Sequence, residues 1–445
     1  MGRGGEAVCQ PHTFHMSFSL LHPRDQIVTT MERIYAHDMT TTSGGNISVR
    51  DENGGIWITP ARVDKGALRP RDIVQISPDG TRHGVHPPSS EWPFHLGIYK
   101  ARPDLRAVIH AHPGALVSFS ICGRVPDTRV FPEAWRVCGK VGFAPYALPG
   151  SSQLGENIAA QFASPEQPQC VVLENHGVVV AAQDLAAAFQ RFETLEVTAQ
   201  TIINASSLGE VHYMDESMQA LPPASRPLLP EHEPAPPSIR ERELRTEICE
   251  FVHRACAHRL MTSTKGSFSA RIDDSTIVMT PYQMDRQTLS IVDLVVVRSN
   301  TRAKGQIPSR AVALHTAIYN AHPEINAVVN ALPVHSTAFC VSDFQLDTRT
   351  IPESYLFLKD VRKIPFQMQY GDCSGIAEIV TPSHPVALLQ NNGVLVAGRT
   401  VLDAFDRLEV LDSTAAAILR SRALGAIHPM PEKVISELLA AFPNV

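Results

Sequence analysis

The stretch Val108-Ile109-His110-Ala111-His112-Pro113 decides how the rest of the chain is read. An apolar, β-branched run reads as a strand, and side chains two apart on a strand face the same way. His110 and His112 are therefore expected to point into one space, as two imidazoles sharing a metal must. Alone, a histidine pair on a half-buried strand is more often hydrogen-bonded core than ligand. Its neighbours change that reading. Upstream lies Pro88-Ser89-Ser90-Glu91-Trp92-Pro93-Phe94-His95, a helix start carrying a carboxylate. Downstream, Leu173-Glu174-Asn175-His176-Gly177-Val178 reads as a strand, a tight turn with a third histidine, and another strand.

Outward from these motifs, apolar residues at helical spacing (Ile27, Met31, Ile34, Tyr35) predict a helix over 23–36. The glycine-rich Ser43-Gly44-Gly45-Asn46 leads into an alternating strand, Ile47 to Arg50. A turn over 51–55 then returns the chain as Ile56-Trp57-Ile58-Thr59. Helices are predicted over 91–100, 154–162 and 184–206. Helices and strands alternate, but short hairpins among them argue for an α/β fold of α/β/α layers with a mixed, largely antiparallel central sheet.

The 445-residue chain is too long for one ordinary core, and it is written twice. Seven prolines between Leu221 and Ser238 mark a linker, taken as 219–239. It separates a domain over 17–218 from one over 240–432, with an N-terminal tail (1–16) and a C-terminal tail (433–445). Gly45-Asn46-Ile47-Ser48-Val49-Arg50 returns as Gly266-Ser267-Phe268-Ser269-Ala270-Arg271, Thr59-Pro60 as Thr280-Pro281, and His95 as His315. Asp127-Thr128-Arg129 and Pro132-Glu133 return as Asp347-Thr348-Arg349 and Pro352-Glu353. The ligand-type residues do not return. Glu91 corresponds to Ala311, His110 to Asn330, His112 to Leu332 and His176 to Asn392. Leucine and alanine cannot donate to a metal, so the second copy reads as a degenerate pseudo-domain. Joint loss of all four also supports their acting together in the first copy. Three imidazoles and a carboxylate suit Zn²⁺, or another divalent ion such as Mn²⁺, Fe²⁺ or Co²⁺, with room for a chelating hydroxy-ketone or keto acid.

Ser43 to Arg50, Ile58-Thr59-Pro60, the Ser-Ser-Glu helix start, His-Ala-His-Pro and Asn-His-Gly, in this order, resemble the class II aldolase/adducin family. That family includes fuculose-phosphate aldolases and ribulose-phosphate 4-epimerases. The resemblance implies two tandem copies of the class II aldolase fold and a metal held by His110, His112 and His176. By it, Glu91 is the catalytic carboxylate, close to the metal and a ligand in the empty site. Asn46, Ser89 and Ser90 match the family's anion-binding positions. The family's Thr-Gly after Thr-Pro is here Ala61-Arg62. Arg62 offers a bidentate fork for phosphate or carboxylate, or is simply an exposed arginine. The fuculose-type aldolases also draw a tyrosine proton donor from a neighbouring subunit; the matching position here is Phe131. Glu133 or Tyr146 stands as a replacement donor or as a structural residue.

These features imply a metal-dependent carbon–carbon lyase acting on a small hydroxy-carbonyl, keto-acid or sugar-phosphate-like substrate through a metal-stabilised enolate. A decarboxylase, epimerase or dehydratase on the same site is the alternative. A non-catalytic assembly protein like the adducin head is the other class, disfavoured by a complete ligand set. The family's rings imply a homo-oligomer, two chains closing a pseudo-tetramer or a larger assembly. A net charge of −6 without long charged runs argues against nucleic acid as partner, and no stretch is long and apolar enough to span a membrane. Eight scattered cysteines without a Cys-x-x-Cys pair suit reduced thiols in the cytoplasm.

Overall fold

The computed structural model describes residues 18–220, 228–371 and 373–443. The expected N-terminal tail (1–16) and residues 221–227 of the linker lie outside them. The described strands form two sheets, and the chain packs as two compact units. Of the described residues, the first holds 18–112, 147–163 and 179–189; the second holds 113–146, 164–178 and those from 190 onward. Parts of the first copy thus pack within the same unit as the whole second copy.

In the first unit, β1 (Asn46–Arg50), β2 (Ile56–Ile58), β3 (Val74–Ile76), β4 (Arg82–His83) and β5 (Ala107–Ala111) run in the order β4-β3-β2-β1-β5, antiparallel throughout. The turn between β1 and β2 is tied by Asp51, whose carboxylate accepts from Asn53 N, Gly55 N and the Trp57 indole. The helix Pro23–Ala36 spans the predicted residues and buries Ile27, Met31 and Ile34. The helices Trp92–Ala101 and Ser152–Phe162 pack on each other, where Gly97 and Gly155 allow close approach.

In the second unit, β6 (Gly142–Ala144) pairs in parallel with β7 (Cys170–Leu173), and β8 (Gly177–Ala182) begins after the turn that follows β7. The second sheet is complete in this unit. Its strands are β9 (Glu231–His232), β10 (Ser267–Asp273), β11 (Thr276–Met279), β12 (Val295–Arg298), β13 (Thr301–Ala303), β14 (Ala327–Ala331), β15 (Arg362–Ile364), β16 (Val386–Leu389) and β17 (Gly393–Gly398). They run in the order β15-β16-β17-β14-β10-β11-β12-β13-β9. Only the β15–β16 and β13–β9 pairs are parallel, so the sheet is mixed and largely antiparallel. The helix Ile239–Ala257 packs on β10 and β11, and Val401–Ser421 on β14 and β17.

Two segments depart from the expected outline. Within the linker, Glu231 and His232 pair with Arg302 and Ala303, extending the second sheet by one short strand. The expected C-terminal tail is instead largely the helix Glu432–Ala441, which packs on Pro352–Leu358 and buries Ile435. Ile435, Leu438 and Leu439 recur at helical spacing, which the tail reading overlooked.

Both copies carry one buried polar triad. Ser48 Oγ lies 2.7 Å from His95 Nδ1 and 2.8 Å from Tyr99 Oη, and Ser269 Oγ lies 2.7 Å from both His315 Nδ1 and Tyr319 Oη. Buried polar groups are tolerated when every partner is supplied. Ser269→Ala removes a shared partner of the imidazole and the phenol at once. It is expected to destabilise the protein by about 1–3 kcal/mol, read as a lower urea midpoint at unchanged m-value.

Candidate metal centre

The site begins with strand register. Asn46 on β1 pairs opposite His110 on β5, and His112 follows one residue beyond the strand end. His110 is fully buried and His112 half-buried. Their Nε2 atoms lie 3.0 Å apart, with the rings edge to face at 77°. His176 sits in the turn after β7, where Asn175 takes a left-handed conformation (φ 51°). Ser120 Oγ clamps that turn, donating to Leu173 O at 2.5 Å and accepting from His176 N at 3.0 Å. One ring nitrogen from each of His110, His112 and His176 lies within 4.8 Å of the others.

This donor set fits a divalent ion. Two imidazole nitrogens each about 2.0–2.1 Å from a tetrahedral ion stand about 3.3–3.4 Å apart, near the observed 3.0 Å. Three histidines leave a coordination position for substrate. Glu91 stands beside the group, with Oε2 3.4 Å from His110 Nε2. It occupies the N-cap position of Trp92–Ala101, yet its carboxylate makes no capping bond. It accepts instead from Asn46 Nδ2 at 2.8 Å. Glu91 therefore does not cap the helix with its side chain, and its carboxylate faces His110.

Behind Glu91 runs a relay that the motif reading missed. Asn46 donates to Glu91 through Nδ2, which leaves Oδ1 to accept from His95 Nε2 at 2.5 Å. His95 Nδ1 must then accept from Ser48 Oγ. Burial, reinforced by His110, pushes the His95 pKa down to about 3, so the ring is neutral. His95 positions Asn46, which positions Glu91. Its return as His315 was the available signal, but a conserved frame is also what plain packing would give.

The remaining residues separate. Ser89 is buried, with Oγ accepting from Glu91 N at 3.3 Å, so it shapes the helix start. Ser90 is exposed. Arg62 is exposed with φ 57°, while its counterpart Gln283 keeps the same left-handed backbone at φ 48°. Tyr146 is also exposed, its backbone N–H held by Glu174. Phe131 is 2% exposed and lines a small cavity with Leu332, Asn392 and Lys265 of the second copy. Glu133 accepts from Arg136 at 2.5 Å and from Arg310 of the second copy at 3.0 Å. Burial raises its pKa, but Lys265, Arg136 and Arg310 more than offset this, so it stays ionised. That is an ion-pair role within the second unit.

The sequence profile described as "Class II Aldolase and Adducin N-terminal domain" matches residues 25–203 and again 246–419. The chain belongs to the class II aldolase and adducin family. Each match is one copy, which establishes the tandem form. Relatives align with a single copy. A 3-oxo-tetronate 4-phosphate decarboxylase from Haemophilus influenzae is 30% identical over 185 residues, covering 40% of this chain and 86% of that protein. A 5-deoxy-D-ribulose 1-phosphate aldolase from Bacillus thuringiensis is 31% identical over 196 residues, covering 43% and 90%. An L-fuculose phosphate aldolase from Methanococcus maripaludis is 33% identical over 167 residues, covering 38% and 88%. Among solved structures, an L-fuculose 1-phosphate aldolase is 29% identical with a TM-score of 0.41, covering 45% of this chain and 93% of that one. Among the described residues, no helix of this class II aldolase family member is long and apolar enough to cross a membrane.

Elemental analysis of the purified protein should find about one divalent ion per chain, and removal of two imidazoles by His110→Ala with His112→Ala should abolish it. Two ions per chain would contradict the loss of ligands in the second copy.

Proposed function

We propose that the first copy is a divalent-metal-dependent carbon–carbon lyase acting on a small hydroxy-carbonyl, keto-acid or sugar-phosphate-like substrate. The observation that carries this reading is Glu91 held beside His110 by Asn46, with both groups replaced in the other copy. Bound by His110, His112 and His176, a divalent ion supplies Lewis-acid stabilisation of negative charge developing on substrate oxygen. Glu91 takes and returns the proton, and Asn46 with His95 keeps its carboxylate turned to the reacting carbon. Ser89 holds the backbone at the helix start, while Ser90 and Arg62 are the candidate contacts for a substrate phosphate or carboxylate. The eight scattered cysteines suit a reducing compartment, the cytoplasm.

Decarboxylation of a keto acid is the second reading, favoured by the repeat's proton-donor position. Phe131 is buried against the degenerate copy, its counterpart Ile351 is the residue that a second chain would bring to the first site, and neither side chain can deliver a proton. Decarboxylation needs the same stabilised carbanion with less demanding protonation. Parallel assays of sugar-phosphate cleavage and of keto-acid phosphate decarboxylation separate the two. In either, Glu91→Gln is expected to lower kcat by roughly 10²–10⁴-fold at unchanged metal content, the usual weight of a general acid–base group. Full activity of Glu91→Gln would remove the carboxylate from the reaction.

The assembly is proposed as a dimer of two-domain chains. Within the second unit, Asn391 is fully buried and its Nδ2 donates to Val130 O and His212 O at 3.0 and 2.8 Å. The corresponding residues lack that cover. Asn175 is exposed, as are Ile351 and Glu353, whereas their counterparts Phe131 and Glu133 are buried. A cavity of about 440 Å³ opens beside Thr350, Ile418, Leu424 and His428, where the repeat would seat Asn175 of a second chain. The junction made inside the chain can thus be made again between chains, closing a two-fold assembly. Light scattering should give twice the chain mass, and Thr350→Arg, which fills the cavity, should give the monomer.

A further inference from the structure

The degenerate copy retains a cavity of about 710 Å³, inside the second unit, where the first copy's ligand positions recur. Asn330 and Asn392, at the positions of His110 and His176, line it together with Ser309 and Gln369. Repeat register explains what took the metal's place. Gly45 corresponds to Gly266, so Lys265 corresponds to Gly44. A Cβ built on Gly44 would lie 3.2 Å from His112 Nδ1, so a side chain at this position enters the ligand group. In the second copy a lysine is there, and its Nζ donates to Asn392 Oδ1 at 2.8 Å. Asn392 is held in turn, its Nδ2 donating to Gln369 Oε1 at 2.8 Å.

The wall around Lys265 is cationic. Arg310 and Arg136 also line the cavity, and among the described residues Glu133 is the only carboxylate there. Both arginines share that one carboxylate. With Arg286 also in the lining, four cations against one anion leave a surplus of three positive charges. The Arg286 N–H groups are engaged by the carbonyls of Gly266, Met284 and Pro281, so it adds charge but is not counted as a donor to a ligand. Surplus positive charge in a walled cavity, beside fixed amide and hydroxyl groups, suits a small anion carrying further oxygens.

We propose that the cavity of the second copy is a metal-free site for a small organic anion, a carboxylate or phosphate, in which the Lys265 ammonium takes the place of the metal ion. The neighbouring Arg310 supplies a second charged donor, and Asn330 and Ser309 meet the hydroxyl or carbonyl oxygens of the ligand. Anion binding here is independent of the first copy's chemistry, and the test separates the two.

Calorimetry on the His110→Ala, His112→Ala chain in chelator, at low ionic strength, removes the first site from the reading. The probes are inorganic phosphate and L-malate. Binding of phosphate alone assigns a phosphate ligand, of malate alone a carboxylate ligand, and of both a general oxyanion site. Lys265→Met and Arg310→Met are each expected to weaken the bound probe roughly ten- to a hundredfold, the loss of one charge-assisted hydrogen bond. Since Lys265→Met can impair folding, reductive methylation of the chain with its lysines intact gives a second readout: the bound probe should slow modification of Lys265 and leave exposed Lys140 unchanged. The proposal is overturned if neither probe binds at millimolar concentration. It is equally overturned if binding survives both substitutions at full strength, or if Lys265 is modified at the same rate with and without a probe that binds.

Discussion

Everything at the candidate centre depends on one antiparallel register. Asn46 sits across from His110, and a slip of one residue would turn both side chains to the opposite face. The second copy keeps the register, with Ser267 across from Asn330, although it lacks every ligand-type side chain of the first. What holds the register there is the frame of serine, imidazole and phenol buried beneath it. Each of those groups is costly to bury alone and tolerable only when its partners are present. Such a network cannot decay one residue at a time, which accounts for its presence in both copies. The ligand positions face the cavity and carry no such constraint, so they could change to asparagine, leucine and alanine.

Much of this was legible in the sequence because the decisive signals were local or repeated. The strand His-x-His, the turn around Asn175 and the helix beginning at Trp92 are short-range patterns with direct physical causes. The duplicated frame also separated residues that recur in both copies from ligand-type residues present in one, without reference to any other protein. Three things were not legible. A Glu91 that caps its helix and a Glu91 turned to His110 give the same sequence; the bond from Asn46 shows the second. Arg62 and Ser90 lie on exposed backbone, where no pattern indicates which way a side chain turns. Phe131 matches a position that the family draws from a neighbouring subunit, and which neighbour it meets, here the second copy, is a long-range contact that no local window contains.

The division of the chain into units makes the same point at larger scale. A repeat read from sequence suggests two self-contained domains, yet residues 113–146 and 164–178 of the first copy belong to the second compact unit. Ser263 N and Oγ both donate to Glu193, Asn204 donates to Val334 O, and Asn391 donates to Val130 O. These bonds join the copies through buried or half-buried groups, where loss of one partner would leave the other stranded. The two copies therefore stabilise one another. A degenerate copy can lose its chemistry and still be retained, because removing it would expose this surface of the first.

That retention gives the substitution of Lys265 for glycine its meaning. A divalent ion is removable, carries two charges and accepts substrate oxygens directly, whereas an ammonium is permanent, carries one charge and can only donate hydrogen bonds. Taking away the histidines alone would leave a cavity walled by asparagine, serine and arginine with no cation at its centre. Lysine restores a cation from a backbone position beside the ligand group, and Asn392 holds it in place of an imidazole. Burial pulls the Lys265 pKa down to about 8 against the opposing pull of Glu133, which keeps the ammonium predominant at neutral pH. An ammonium so placed can attract an oxyanion but offers no open coordination site for bond cleavage. The duplicated fold thus separates recognition of an anion from chemistry on it.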